Sequence, residues 1–179
     1  PEELLLIEDE ARLAGLAIEK SMAEARLQLA ATVFSHAREG IMITDASGLI
    51  IEVNDMFSTI TGYGREEALG QNPRSLLRSG RHGSDFYAAR VKALEEYGYW
   101  SGEAWNQRKN GEVFAEMLTI STVRDAQGAP QNYVALFTDI TPMKEHQSQL
   151  EHIAHFDALT SLPNRVLLAD RLQQALTQS

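Results

Sequence analysis

Apolar and polar residues alternate in runs between Gly98 and Asp139, with the period of extended chain that buries one face. The first predicted strand is Trp100 to Lys109. Asn110-Gly111 follows as a two-residue hairpin signal, because this pair readily adopts positive φ angles. The second strand spans Glu112 to Val123. It puts Val113, Ala115, Met117, Thr119 and Ser121 on one face and Phe114, Glu116, Leu118, Ile120 and Thr122 on the other. A turn over residues 125–130 leads to a third, more uniformly apolar strand, Asn132 to Thr138. A meander of this kind packs one face on a core.

Upstream the period changes to that of a helix. Residues 3–33 predict one long helix without proline. Ala11, Gly15, Ile18, Met22, Ala25 and Leu29 recur at spacings of four and three, a heptad seam. Leu13, Leu16, Ala23, Leu27, Ala30 and Phe34 form a second stripe. Two stripes exceed what one partner face covers. The helix is therefore expected to join two copies of the chain, with Gly15, Ile18, Met22 and Leu29 in the seam. A helix folded back on its own domain is the alternative. Next come two short strands, Ile41–Asp45 and Leu49–Val53, joined by the turn Asp45-Ala46-Ser47-Gly48. Asn54-Asp55 offers an N-cap for a helix Met56–Ile60, which Thr61-Gly62-Tyr63-Gly64 stops. Arg65–Gly70 and Arg74–Leu77 are short helical turns, the second opened by Asn72-Pro73. Beyond a loop at Ser79–Gly83, Ser84 or Asp85 is expected to cap a helix Phe86–Tyr97 with an inner stripe of Phe86, Ala89, Val91, Leu94 and Tyr97. After the meander, Thr141 can cap and Pro142 can open a helix that carries Met143, Leu150 and Ile153 at coiled-coil spacing.

Composition narrows the class. The 179 residues, 44% hydrophobic, allow one domain of ordinary size plus appendages. A net charge of −9 argues against nucleic acid or an anionic membrane as the main partner. Without cysteine there are no disulfides, thiolate ligands or cysteine nucleophiles, a pattern that suits the cytoplasm. No apolar run approaches the roughly 20 residues of a membrane span. The opening Pro1-Glu2-Glu3 and the abrupt end at Ser179 suggest a piece of a longer protein, in which a membrane segment upstream stays open.

The order of elements, with Val53-Asn54, Phe57, Thr61-Gly62-Tyr63, Glu67-Ala68-Leu69-Gly70-Gln71-Asn72-Pro73, Trp100-Ser101-Gly102-Glu103, Arg108-Lys109-Asn110-Gly111 and Thr138-Asp139-Ile140-Thr141, resembles the PAS domain family. The resemblance implies an α+β fold over residues 34–141. In it, a five-stranded antiparallel sheet with helices on one face cups a small cavity, flanked by a dimerising helix (1–33) and a signalling helix or linker (142–156). It also implies that Asp139 and Thr141 pass strain in the sheet to the output helix. Residues 157–179 form a separate match. His155-Phe156-Asp157-Ala158-Leu159-Thr160-Ser161-Leu162-Pro163-Asn164-Arg165 resembles the opening of a GGDEF diguanylate cyclase domain, with Phe156 inserted and Ser161 in place of a glycine. The chain stops before any GGDEF sequence, so it is not expected to be an enzyme itself. The implied parent is a diguanylate cyclase or cyclic-di-GMP phosphodiesterase. Asp157, Asn164 and Arg165 are expected to shape the turn that opens that domain.

The resemblance also frames the cavity. Residues 70–77 are similar to the flavin-binding segment of LOV photosensors, with Pro73 where the photoreactive cysteine stands, so adduct photochemistry is excluded. Asn106 falls where these domains read the flavin edge, Glu116 where a second asparagine stands and Phe137 where the switching glutamine stands. Trp100-x-Gly102 with Asn106-x-Arg108-Lys109 also resembles the flavin-binding redox-sensor PAS domains of nitrogen-fixation regulators. An asparagine amide both donates and accepts, matching an imide edge. Asn106, Trp100, Glu116, Arg74 and Asn72 are the candidate cofactor-binding residues, for FAD or another small ligand. A cavity filled by side chains, with the domain serving only as a dimer platform, is the alternative. Trp100 packing in the core and Asn106 bonding backbone is the plain reading of those two. Haem is not expected: His82 lies in a Gly-rich polar loop that reads as solvated. No His, Asp or Glu set completes a metal site.

Overall fold

The computed structural model describes residues 2–155 together with Leu162, Asn164 and Leu168. All of 157–179 except those three positions, and so most of the predicted cyclase opening, lies outside the described residues, as does the side chain of Ala11. The elements run α1 (Glu2–His36), β1 (Gly40–Asp45), β2 (Ile50–Val53), α2 (Asp55–Thr61), α3 (Arg65–Ala68), α4 (Pro73–Leu77), α5 (Ser84–Glu96), β3 (Tyr99–Gln107), β4 (Val113–Arg124), β5 (Pro130–Asp139) and α6 (Thr141–His155). The five strands form one antiparallel sheet in the order β2-β1-β5-β4-β3. The first strand therefore pairs with the last, so the exit of the domain is built into the centre of the sheet.

The alternation in β4 is borne out in part: Ala115, on the opposite face, is buried as well, where the chain turns into α6. Phe114, Glu116 and Leu118 are buried, while Met117 and Ser121 are exposed. Phe114 and Leu118 join Met42, Ile50, Val53, Phe57, Ile60, Ala68, Leu77, Ala104, Ala135 and Phe137 in one core. Phe57 meets Phe137 edge-on at 6.0 Å. The turn at Asp45 forms because its carboxylate accepts from the backbone of Ser47 and Leu49 and from the Ser47 hydroxyl. α2 ends at Gly62, whose φ of +77° suits a residue without Cβ.

Asn54 does more than cap α2. Its Oδ1 accepts from the backbone of Phe57 (2.9 Å) and Ile41 (2.8 Å). Its amide donates to the carbonyls of Phe34 (3.1 Å) and Glu39 (2.9 Å). One buried side chain thus ties the end of α1 to β1 and α2. Up to that tie α1 stands clear of the sheet. Ile18, Met22 and Leu29 of one stripe and Leu13, Leu16 and Leu27 of the other are all more than half exposed.

Four local expectations need correction. The β3–β4 connection is longer than two residues: Arg108 N donates to Glu112 O and Gly111 N to Arg108 O, so Asn110-Gly111 lies inside a five-residue loop. α5 starts at Ser84 and is preceded by Gly83, which has no side-chain cap, so neither Ser84 nor Asp85 is the cap. Ala89, Val91 and Tyr97 are exposed; the half-buried side of α5 carries Phe86, Tyr87, Arg90, Ala93 and Leu94 instead. That helix spans a cavity rather than a filled core, so Tyr87 and Arg90 share its inward side with Val91 and Leu94. Lastly, Thr141 is the first residue of α6 rather than its cap, and its hydroxyl is turned toward the sheet.

Candidate functional site

Between the sheet and α4–α5 lies a cavity of about 400 Å³. Met42, Leu118, Ile120, Ala135 and Phe137 supply apolar sheet walls, Leu77 and Leu94 come from the helices, and the polar lining includes Arg74, Arg78, Arg90, Glu95, Asn106 and Glu116. Of the five predicted cofactor residues, four line it. Asn72 and Arg74 are exposed, whereas Asn106 is half-buried and Glu116 is buried. Trp100 is not among the lining residues. Its indole packs edge-on against Phe86 at 5.5 Å and lies over Gly102, where an added Cβ would come within 3.1 Å of the ring. That is the plain packing reading, and Trp100 is withdrawn from the candidate site.

Asn106 does not simply bond backbone. Its amide nitrogen donates to Glu116 Oε1 at 2.7 Å, while Glu116 Oε2 has no hydrogen-bond partner. Glu116 is 2% exposed. Burial pushes its carboxyl up to about 8; nearby Arg90 and the Asn106 bond pull it down and Asp139 pushes it further up. Burial thus favours the protonated, neutral form of the Glu116 carboxyl. The clue in the sequence was its place among Phe114, Leu118 and Ile120 on the inward face.

Arg74 and Arg90 both approach the Tyr87 ring, at 4.2 and 5.2 Å. Among the described residues neither guanidinium has a carboxylate within 4.0 Å. Arg90, the clue to which was masked by an aliphatic reading of α5, is also desolvated enough to lower its own pKa. The cavity therefore has apolar walls, Arg74 and Arg90 at its helical side and a buried glutamate in its floor.

The loop before α5 is tied to the edge strand β3. Ser79 Oγ donates to the carbonyl of Trp105 at 2.5 Å, and the Trp105 N–H donates to His82 Nε2 at 2.8 Å. His82 stacks on Phe86 at 3.8 Å, and burial, then nearby Arg90, lowers its pKa. It is a structural acceptor on the edge strand, not a solvated loop histidine. Its sequence setting gave no sign of that. Among the described residues no cluster of His, Asp and Glu could hold a metal ion, and no helix is long and apolar enough to cross a membrane.

From the cavity the geometry leads to α6. Glu116 pairs in register with Asp139. The adjacent Ala115 accepts at its carbonyl from Ile140 N (2.9 Å) and donates its N–H to Thr141 Oγ1 (2.9 Å). Asp139 Oδ1 accepts from Thr141 N at 2.8 Å, and Oδ2 from Arg108 at 2.5 Å. Arg108 also reaches the carbonyl of Ile60 and lies 4.3 Å from the Phe114 ring centre. Burial raises the Asp139 carboxyl, but the bonds from Arg108 and Thr141 outweigh it and leave it below its usual value. Lys144 adds an ion pair to Glu103 at 2.7 Å. Only Ile140 separates β5 from α6. At the far end of α6, Asn164 donates from its backbone to His155 O and from its side chain to Ala154 O.

Residues 38–142, more than half of the 179, match the PAS domain family. The chain belongs to that family. A solved PAS domain from Colwellia psychrerythraea aligns with a TM-score of 0.60 and 26% identity over 65% of this chain and 98% of its own. The nitrogen fixation regulatory protein of Klebsiella oxytoca is 31% identical over 141 residues, 78% of this chain. The cyclic di-GMP phosphodiesterase PdeR of Escherichia coli is 26% identical over 159 residues, 86% of this chain. The PAS chain spans 28% and 23% of the lengths of these two relatives. Its fold is the five-stranded PAS fold, and its class is that of a sensory module in signalling proteins, with no catalytic domain among the described residues.

Proposed function

We propose that this PAS domain senses a small ligand in the 400 Å³ cavity and relays its presence through β5 and α6 to a GGDEF domain in a cytoplasmic cyclic-di-GMP signalling protein. The observation that carries the reading is the junction at Ala115. Its two backbone groups hold Ile140 and Thr141, so β4, which carries Glu116, cannot shift without displacing the first turn of α6. Asp139 and Thr141 are the relay residues. The cyclic-di-GMP assignment draws on the run His155–Arg165 and on the similarity to PdeR, which is longer than the stretch 38–142. The chain acts as a homodimer through the α1 seam Gly15, Ile18, Met22 and Leu29 and through the PAS domain. Exposed apolar residues on both stripes of α1 favour this over a helix packed on its own domain. A change in occupancy can move α6 only if the ligand binds two arrangements of the sheet unequally.

A flavin, as FAD in a redox sensor, is the second reading. Asn106 and the uncompensated Arg74 and Arg90 favour it, as edge-reading amide and anion-binding groups. An absorption spectrum of freshly purified protein, followed by native mass spectrometry, tests both. Flavin bands support the redox sensor, and a colourless bound mass supports another ligand. A protein at its bare chain mass, with no ligand acquired from a cell extract, refutes both and leaves a dimer platform.

A further inference from the structure

The cavity floor holds a chemical discriminator that the apolar walls do not. Glu116 lies on a central strand, buried, with Oε1 taken by Asn106 and Oε2 unpaired. A buried polar atom without a partner is rare in a folded protein. It calls for an occupant here, because this side chain lines the cavity. Two occupants could satisfy it in principle. An amine would bind the ionised carboxylate. A carbonyl, ring nitrogen or oxyanion would accept the proton of the neutral acid.

The surroundings decide between them. Arg90 stands beside Glu116, and Arg74 and Arg78 line the same cavity, against Glu95 as the other acidic group in the lining. Asp139 faces Glu116 from β5, and its charge is taken up by Arg108 at 2.5 Å. A cationic ligand would meet a net positive cavity, whereas an acceptor-bearing neutral or anionic ligand would not. We propose that Glu116 sets the ligand class of the cavity: it donates its carboxyl proton to an acceptor atom of a neutral or anionic small molecule, and cationic amines are rejected. This deepens the small-ligand reading above and rests on it. Uptake is then linked to a proton on Glu116, and affinity falls as that proton is lost at alkaline pH.

Two measurements on the whole chain test this. The first needs no ligand: the side-chain carboxyl carbon of Glu116, labelled with ¹³C and assigned by comparison with Glu116→Gln, is followed by NMR from pH 6 to 10. A neutral acid at pH 7 is expected; a carboxylate at pH 7 overturns the proposal. The second uses flavin mononucleotide as an acceptor-rich anionic probe at pH 7 and 9. With the carboxyl at about 8, the wild-type Kd is expected to weaken about tenfold over that step. Glu116→Gln, which keeps a donor and cannot ionise, is expected to bind at both pH values with no such step. Wild-type binding that ignores pH, or a Glu116→Gln protein that keeps the tenfold step, overturns the role of Glu116. A neutral Glu116 with no probe binding at either pH, and no mass retained by native spectrometry, refutes the small-ligand reading and the inferred class with it.

Discussion

Replacing Arg108 by methionine tests the clamp that joins α2, the β3–β4 loop and the domain exit. The guanidinium is 16% exposed and Asp139 21% exposed. Methionine keeps the contact with Phe114 but removes the donor to Asp139 Oδ2 and to the Ile60 carbonyl, while Asp139 Oδ1 keeps Thr141 N. Breaking a buried pair costs about 3–5 kcal/mol, and a lost bond to a charged group about 1.5–3 kcal/mol. About a fifth of each partner still meets water, so the lower part of that span applies. Glu112, 3.4 Å away and 53% exposed, adds little. The expected loss is about 3 kcal/mol, read as a lower urea midpoint by circular dichroism. The acid limb supplies a second signature. The folded Asp139 carboxyl lies below its unfolded value, so its stabilisation is present above the unfolded carboxylate range and is lost as pH falls through the folded value. Without Arg108 that acid loss should shrink. A loss under about 1 kcal/mol, within the range of exposed pairs, that simply adds to that of Asp139→Asn would refute the clamp.

Two further substitutions probe the frame around the site. Asn54→Ala removes four hydrogen bonds at a 2% exposed position and should cost about 2–4 kcal/mol by urea unfolding. It should also speed amide exchange at Ile41 and Phe57. Gly40→Ala puts a Cβ 2.4 Å from the Phe137 ring, which lines the cavity, and should cost about 1–3 kcal/mol by overpacking, with a change in any bound chromophore's spectrum.

Much of this architecture is legible along the chain because local chemistry and tertiary packing agree. Asp45 closes its own turn, Asn54 and Asn72 cap α2 and α4 as expected, and the period of β4 places Phe114, Glu116 and Leu118 inward. Where packing is incomplete, pattern misleads. Hydrophobicity alone selected Tyr97 for the inner side of α5, yet the space beneath is a cavity met by Tyr87 and Arg90 beside Val91 and Leu94. Trp100 has the spacing of a ligand contact but packs edge-on against Phe86, outside the cavity lining. His82 bonds a strand 23 residues away, and the Arg108–Asp139 pair spans 31; neither partner is written into neighbouring residues. The junction of Thr141 with Ala115 was hidden for the same reason, because a threonine before proline looks like a simple cap.

The relay from cavity to α6 is tested most directly by a distance within one chain. The protein has no cysteine, so spin labels at Ser121→Cys on β4 and Gln149→Cys on α6 report without background. Ala135→Leu adds bulk to a 4% exposed strand position that lines the cavity, and stands in for an occupant. Electron–electron spin resonance should show the label distance changing by about 1–2 Å, the scale of helix shifts in switching proteins. Thr141→Val should suppress that change. An unchanged distance in a folded Ala135→Leu protein would contradict the relay.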